Sequence, residues 1–189
     1  MIHIDVESGL IRGARQVPSP NFDDRPAGCC AELIIVHGIS LPPGEFGGEW
    51  IDRFFTNTVD PAAHPYFRKI VDLRVSSHLL IRRDGELVQY VSLAKRAWHA
   101  GVSCYQDREK CNDYSIGIEL EGTDEIPYAD VQYEVLGTMI QALRAAFPSL
   151  ADAPVVGHCD VAADRKTDPG PAFDWKRLFA RLAATGVTE

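Results

Sequence analysis

The chain has 189 residues, with 19 basic and 27 acidic side chains and a formal net charge of -8. This length fits one domain with a sizeable core, and we expect residues 1–189 to form a single domain. The acidic balance argues against nonspecific binding of nucleic acid, which needs a basic face. No apolar run approaches the ~18 residues of a membrane span, so no membrane partner is expected.

The amino-terminal segment and the cysteines bear on the compartment. Residues 1–9 carry acidic side chains and lack the apolar stretch of a secretory signal. The five cysteines are an odd number and include no CxxC pair, so thiols in a reducing environment are the simplest interpretation. The sequence therefore predicts a cytoplasmic protein, which we expect to be a monomer.

The spacing of apolar and polar residues predicts strands and helices along the whole chain. In chain order these are a strand over Leu33–His37, a long loop over Ser40–Gly48, a helix over Glu49–Asn57, strands over Ser77–Arg82 and Glu86–Val91 joined by a turn at Arg83–Gly85, a strand over Ser115–Leu120, a helix over Val131–Phe147, a strand over Pro154–Gly157 and a helix over Trp175–Ala184. Asp130 and Asp174 are suitable N-caps for the last two helices, and Gly186 marks the end of the second. This order predicts an α/β or α+β domain with a mixed central sheet flanked by helices.

Two histidines and one aspartate stand where a metal site is expected. His37 and His158 each end a short apolar strand, and Asp168 lies ten residues after His158 in a polar loop. Strand ends that feed loops are where binding sites gather. Two imidazoles and one carboxylate can form an open zinc site whose fourth position is left for water. No compact signature such as HExxH is present, so spacing alone leaves a structural role for these histidines open.

Two further charged residues are candidates for catalysis. Glu119 lies in a short apolar strand, where a carboxylate costs free energy unless it has a partner or a task, and beside a metal site it could act as a general base. A half-exposed strand with its polar face in water explains Glu119 equally well. Lys166 could stabilise an oxyanion near the metal, although an ordinary solvated loop lysine is the simpler interpretation of this residue alone.

Seven segments in the same order carry a resemblance to a known family. They are Ser19–Pro26, His37–Gly48, Val75–His78, Ile81–Gly85, Arg96–Ser103, Cys111–Asp124 and Val156–Pro171. On these segments the chain resembles the zinc-dependent N-acetylmuramoyl-L-alanine amidases of type 2, and in particular the branch that acts on 1,6-anhydromuropeptides in peptidoglycan recycling. The resemblance implies a mixed central sheet flanked by helices, with zinc in an open groove.

The resemblance also implies roles for individual residues. His37, His158 and Asp168 match the zinc ligands, Glu119 matches the catalytic glutamate, and Lys166 matches the lysine that helps to stabilise the transition state. Trp98 falls in a motif that lines the substrate cleft. The implied reaction is hydrolysis of the amide between 1,6-anhydro-N-acetylmuramic acid and the L-alanine of the stem peptide.

One residue departs from the pattern of the family, which usually has Asn where this chain has Gly38. Loss of one neutral hydrogen bond to substrate corresponds to roughly 0.5–1.5 kcal/mol, so we expect Gly38→Asn to lower KM. Because the stem peptide is anionic, Arg74 is a candidate for holding its carboxylates, and Arg108 and Lys110 are candidates for this role or for surface ion pairs.

Two other functions remain open at this point. One is a broad lytic amidase that acts on intact peptidoglycan, and the other is a non-catalytic peptidoglycan-binding receptor of related fold. The receptors commonly lack a metal ligand, whereas this chain has all three candidate ligands.

Overall fold

In the computed structural model, which describes residues 2–184, the chain has twelve β-strands and four α-helices. The strands are β1 (His3–Asp5), β2 (Leu10–Arg12), β3 (Arg15–Gln16), β4 (Phe22–Asp23), β5 (Leu33–Ile39), β6 (Leu79–Ile81), β7 (Leu87–Gln89), β8 (Arg96–Ala97), β9 (Cys104–Tyr105), β10 (Arg108–Glu109), β11 (Ser115–Glu121) and β12 (Val155–Gly157). The helices are α1 (Trp50–Phe55), α2 (Asp130–Ala146), α3 (His158–Val161) and α4 (Trp175–Ala184). No helix in the described range has both the length and the apolar character that a membrane crossing requires.

Six strands form one mixed central sheet in the order β12-β5-β11-β6-β7-β3. Strands β12, β5, β11 and β6 run parallel to one another, β6 and β7 form an antiparallel hairpin, and β3 pairs parallel with β7. The remaining strands form two-stranded ribbons outside this sheet. The carboxyl ends of β12, β5 and β11 therefore meet at one edge of the sheet, which is where open α/β sheets bind their ligands.

The two faces of the sheet are covered by different layers. Ile116, Ile118 and Leu120 of β11 point toward α2, whose buried residues Leu136 and Ile140 belong to the same apolar cluster. The other face of β11 carries Ser115, Gly117, Glu119 and Glu121, since successive side chains of a strand alternate. All seven residues of β11 are buried, so the polar face of this strand also lies inside the protein.

The structure confirms the predicted mixed sheet and its flanking helices. Each predicted strand and helix is present, although four of the eight are shorter than predicted and two strands are longer, and the Arg83–Gly85 turn joins β6 to β7 with Gly85 at a φ of 88°. Asp174 accepts a hydrogen bond from the amide of Arg177, as expected for an N-cap of α4. The predicted end of this helix near Gly186 lies outside the described residues.

The prediction of Asp130 as the N-cap of α2 is wrong. Ala129 is the last extended residue before the helix, and its amide donates to the side-chain oxygen of Gln132, which lies one turn into the helix. Asp130 is the first helical residue. There its carboxylate is well placed for the helix dipole and pairs with Arg177 of α4 at 2.6 Å.

Candidate metal centre and active site

The candidate site lies at the carboxyl edge of three adjacent parallel strands. His37 comes near the end of β5, and the register of the sheet places Glu119 of β11 directly beside it. His158 follows the last residue of β12 and begins the short helix α3. Parallel pairing thus brings together residues that are separated by up to 121 positions in the chain.

His37, His158 and Asp168 converge on one point. The Nδ1 atoms of His37 and His158 lie 3.4 and 3.0 Å from Oδ2 of Asp168, and the ligand atoms all lie within 4.8 Å of one another. Two nitrogen donors and one carboxylate at the ~2.0–2.2 Å bond lengths of a tetrahedral zinc site are separated by about 3.3 Å. The two separations from Asp168 bracket this value.

The hydrogen bonds around His158 indicate which of its two ring nitrogens is available to a metal ion. Its Nε2 lies 3.2 Å from the carbonyl oxygen of Ala100, which can only accept, so Nε2 carries a proton. A bound cation would take the other nitrogen, Nδ1, which lies 3.0 Å from Oδ2 of Asp168.

Burial sets the charge of His37, and the neighbouring imidazoles set the charge of Asp168. Burial lowers the pKa of His37 to about 4, so this imidazole is neutral at pH 7. Burial alone would raise the pKa of Asp168, but the neighbouring His158 and His37 hold it well below its ordinary value. The cluster presents a carboxylate and a neutral imidazole, which are the protonation states that zinc binding requires.

Glu119 is a buried acid that lines the same pocket. Burial and then the negative charge of Asp168 raise its pKa, whereas Lys166 lowers it. A divalent cation held by His37, His158 and Asp168 would favour the ionised form of Glu119. Because the polar face of β11 is buried, the alternative of a half-exposed strand with Glu119 in water is wrong.

A cavity of about 600 Å³ opens beside these residues. Its lining includes polar residues such as Lys166 and Thr167 and apolar residues such as Leu41, Phe54 and Ile70. Ser40, Leu41, Pro43 and Gly44 of the predicted loop line the cavity. Lys166 is half-buried there, and it is not the freely solvated loop lysine that was the alternative.

Gly38 also lines the cavity, where the hydroxyl group of Tyr128 occupies the space beside it. A Cβ atom at position 38 would contact that hydroxyl more closely than real side chains do. Tyr128 is held in place because its hydroxyl donates to the carbonyl oxygen of Pro169 at 3.0 Å. An Asn at position 38 therefore requires Tyr128 to move, which the sequence pattern did not reveal.

The structure does not bring Trp98 and Arg74 into this cavity, although their neighbours His99, Leu73 and Val75 line it. The side chain of Trp98 is half-buried and lies beside Asp23, where it helps to lower the pKa of that carboxyl. The exposed guanidinium of Arg74 donates to the carbonyl oxygens of Val71 and Leu73. Substrate binding by either residue stays a prediction.

Arg108, the other basic residue considered for the peptide, is already engaged. Its guanidinium pairs with Glu32 at 2.5 Å and lies 3.7 Å from the ring centre of Tyr114. Arg108 therefore forms a surface ion pair, which was the alternative to a role in binding the peptide.

One buried residue of the site was given no role by the sequence pattern. His99 lines the cavity and contacts His37, with 2.9 Å between Nδ1 of His99 and Nε2 of His37. It immediately follows Trp98 in a segment that carries the family resemblance, which was the signal available for it.

Comparisons with known proteins agree on one family. The family model described as N-acetylmuramoyl-L-alanine amidase (Amidase_2) matches residues 28–171. The chain is 62% identical over 173 residues to the 1,6-anhydro-N-acetylmuramyl-L-alanine amidase AmpD of Escherichia coli (strain K12), which covers 92% of this chain and 94% of that protein.

Solved structures give the same result. The crystal structure of a selenomethionine derivative of AmpD superposes with a TM-score of 0.91 at 58% identity, covering 95% of this chain and 99% of that one. AmpDh3 of Pseudomonas aeruginosa, solved in complex with an anhydromuramic pentapeptide, has a TM-score of 0.57 at 26% identity, covering 80% of this chain and 59% of that one. The chain therefore belongs to the N-acetylmuramoyl-L-alanine amidase family.

Proposed function

We propose that this amidase hydrolyses the amide bond between the lactyl carbonyl of 1,6-anhydro-N-acetylmuramic acid and the L-alanine of the stem peptide, in peptidoglycan recycling. The observation that carries the proposal is the convergence of three metal-donor atoms beside a buried glutamate in one open cavity. The name of the E. coli relative and the ligand in the P. aeruginosa structure support this class of substrate.

The proposed cofactor is one zinc ion held by His37, His158 and Asp168. Catalytic zinc is typically held by three nitrogen or oxygen ligands from the protein, which leave one coordination position open. When bound, the metal supplies Lewis-acid polarisation of the scissile carbonyl and acidifies a water molecule. Cys159, which directly follows His158 in the chain, does not belong to this group of possible metal ligands among residues 2–184.

Glu119 is the proposed general base. Its carboxylate takes a proton from the attacking water and returns it to the alanine nitrogen as the amide bond breaks. The ammonium group of Lys166 stabilises the negative charge that develops on the carbonyl oxygen.

Arg74 is proposed to attract the peptide carboxylates from the rim of the cavity, because its neighbours Leu73 and Val75 line the cavity. Its charge is exposed, so the effect is one of modest attraction that salt screens. We expect Arg74→Ala to raise KM for the anhydromuramyl tripeptide with little change in kcat, and the increase to shrink at high salt. Unchanged kinetics in this variant would remove Arg74 from the substrate site.

We also propose that the chain works in the cytoplasm as a monomeric single domain. Its five cysteines are all free thiols, which suits a reducing compartment. A single apparent mass near 20.9 kDa in light scattering at several protein concentrations is the expected result for a monomer. A mass that rises with concentration would contradict it.

The proposed function is tested by amide cleavage of the anhydromuramyl tripeptide, with and without a chelator, beside intact sacculus as a second substrate. Cleavage of the fragment that a chelator abolishes and zinc restores is the expected result. Cleavage of sacculus at a comparable rate would instead indicate a broad lytic amidase. Bound zinc without cleavage of either substrate would indicate a receptor.

A further inference from the structure

A line of hydrogen bonds connects the backbone at Cys111 to the metal-binding side of the cavity. The hydroxyl of Ser115 donates to the carbonyl oxygen of Cys111 at 2.6 Å, and the same oxygen of Ser115 lies 3.2 Å from Nε2 of His99. Nδ1 of His99 then lies 2.9 Å from Nε2 of His37. Ser115, His99 and His37 are all buried, which limits the access of water to these groups.

The positions of the hydrogen atoms follow from the fixed end of this line. The carbonyl of Cys111 can only accept, so it takes the single hydroxyl hydrogen of Ser115. The oxygen of Ser115 must then accept from Nε2–H of His99, which leaves Nδ1 of His99 unprotonated. That nitrogen accepts from Nε2–H of His37, which leaves Nδ1 of His37, 3.4 Å from Oδ2 of Asp168, as the nitrogen available to a cation.

The residue after His99 has the corresponding contact with the second histidine. The carbonyl oxygen of Ala100 accepts from Nε2 of His158 at 3.2 Å. The backbone amides of His99 and Ala100 both donate to the side-chain oxygen of Asn112, at 3.1 and 2.8 Å. One dipeptide, fixed by one asparagine, therefore contacts both imidazoles on the side away from Asp168.

Strand β11 provides the space for this arrangement. Ser115, Gly117 and Glu119 lie on the same face, with Ser115 bonded to His99 and Glu119 beside His37 in the register. A Cβ atom at Gly117 would lie 2.5 Å from ring atoms of His99. The ring of His99 therefore lies over a position that only glycine leaves open.

We propose that His99, held by Ser115, is a positioning residue that fixes the tautomer and orientation of His37 and thereby sets metal affinity. The inference rests on the proposed metal site. Partners of this kind orient ligating histidines and raise their basicity, and their loss typically lowers metal affinity roughly 10- to 100-fold.

The test compares His99→Leu, which removes the acceptor, with His99→Asn, whose side-chain oxygen replaces Nδ1 at a similar position. Zinc affinity is measured by chelator competition, and the cobalt-substituted proteins are compared by visible absorption. We expect His99→Leu to bind zinc roughly 10- to 100-fold more weakly with an altered cobalt spectrum, and His99→Asn to recover most of the affinity. His3→Leu, which alters an exposed histidine of β1, is the matched control. Equal affinity in wild type and His99→Leu, or equal losses in both His99 variants, would overturn the proposal.

A second measurement applies even where His99→Leu does not fold. Long-range 1H–15N NMR of the metal-free wild type reports the tautomer of His37, and we expect a proton on Nε2 and none on Nδ1. Ser115→Ala is expected to make this tautomer mixed. A proton on Nδ1 of His37 in the wild type would refute the inference. This experiment needs neither zinc nor substrate, so its failure is distinguishable from failure of the proposed function.

Discussion

Glu119 shows how a single buried carboxylate can be both costly and useful. Its burial and the adjacent Asp168 disfavour the charged form, so the residue depends on positive charge nearby to ionise. Lys166 supplies one such charge, and a metal in the His37, His158 and Asp168 cluster would supply the larger one. Metal binding and the ionisation of Glu119 are in this way coupled.

The first prediction concerns Glu119→Gln, which keeps the size of the side chain but cannot take a proton. We expect kcat for the anhydromuramyl tripeptide to fall roughly 10²- to 10⁴-fold, the usual contribution of a general base. Zinc stoichiometry should be unchanged, because Glu119 is not one of the three donors. Turnover near the wild-type rate in a zinc-loaded variant would refute the role of Glu119.

Gly38 calls for a second prediction at the same scale. An Asn here could donate a hydrogen bond to substrate, but its Cβ would displace the Tyr128 hydroxyl that donates to Pro169. We therefore expect Gly38→Asn to lower KM more in a Tyr128→Phe background than in the wild type, by up to roughly 10-fold for one neutral bond. KM is measured for all four combinations, with Tyr128→Phe alone as the control. Equal effects in both backgrounds would contradict a steric role for the hydroxyl.

Strand β11 is the element on which the site depends most. One of its faces packs on α2, while the other carries Ser115, Gly117 and Glu119 toward the site. A change on the face that packs on α2 is therefore expected to affect stability alone. A change on the face with Ser115, Gly117 and Glu119 is expected to affect the metal site.

The third prediction uses this separation. Gly117→Ala places a methyl group against the ring of His99, so we expect weaker zinc binding and a lower melting temperature. Ile118→Val, a matched change on the opposite face, should cost about 0.5–1.5 kcal/mol of stability and leave zinc affinity unchanged. Chelator competition and thermal melts of both variants measure the two effects. Equal zinc affinity in the two variants would argue against a special role for the Gly117 face.

The elements also show how far the sequence pattern reaches. Alternation and helical spacing predicted five strands of the central sheet and the three longest helices, and the Asp-Gly pair predicted the β6–β7 turn, because these signals are local. Strand ends identified His37 and His158, since parallel strands deliver their carboxyl ends to one edge of a sheet. His99 was missed because its partner is 62 residues away, and a side-chain contact between distant segments leaves no periodic signal. The packing of Tyr128 against Gly38 was hidden for the same reason.

At the scale of the whole molecule, the acidic surface contrasts with a buried set of imidazoles. His37, His78 and His99 are all buried, and burial lowers the pKa of each. His78 is bonded to the fold rather than to the donor cluster, since its Nδ1 accepts from the amide of Gly117 and its other nitrogen lies 3.0 Å from the carbonyl oxygen of Lys95. Folding of the metal-free chain therefore requires these side chains to stay neutral.

The fourth prediction is that the metal-free protein loses stability as the pH falls below about 6.5. Burial, and then the charge of Arg25, lower the pKa of His78 from its ordinary 6.5 to about 3. Between these values the unfolded chain binds a proton that the native chain does not, so stability falls as pH falls and is constant with respect to His78 above 6.5. From pH 7 to pH 5 this residue alone accounts for about 2 kcal/mol.

Urea unfolding with chelator present measures the loss, and His78→Asn, which keeps an acceptor for the Gly117 amide but does not titrate in this range, should flatten the curve by that amount. Parallel curves for the two proteins would show that His78 is already protonated in the native state or neutral in both states.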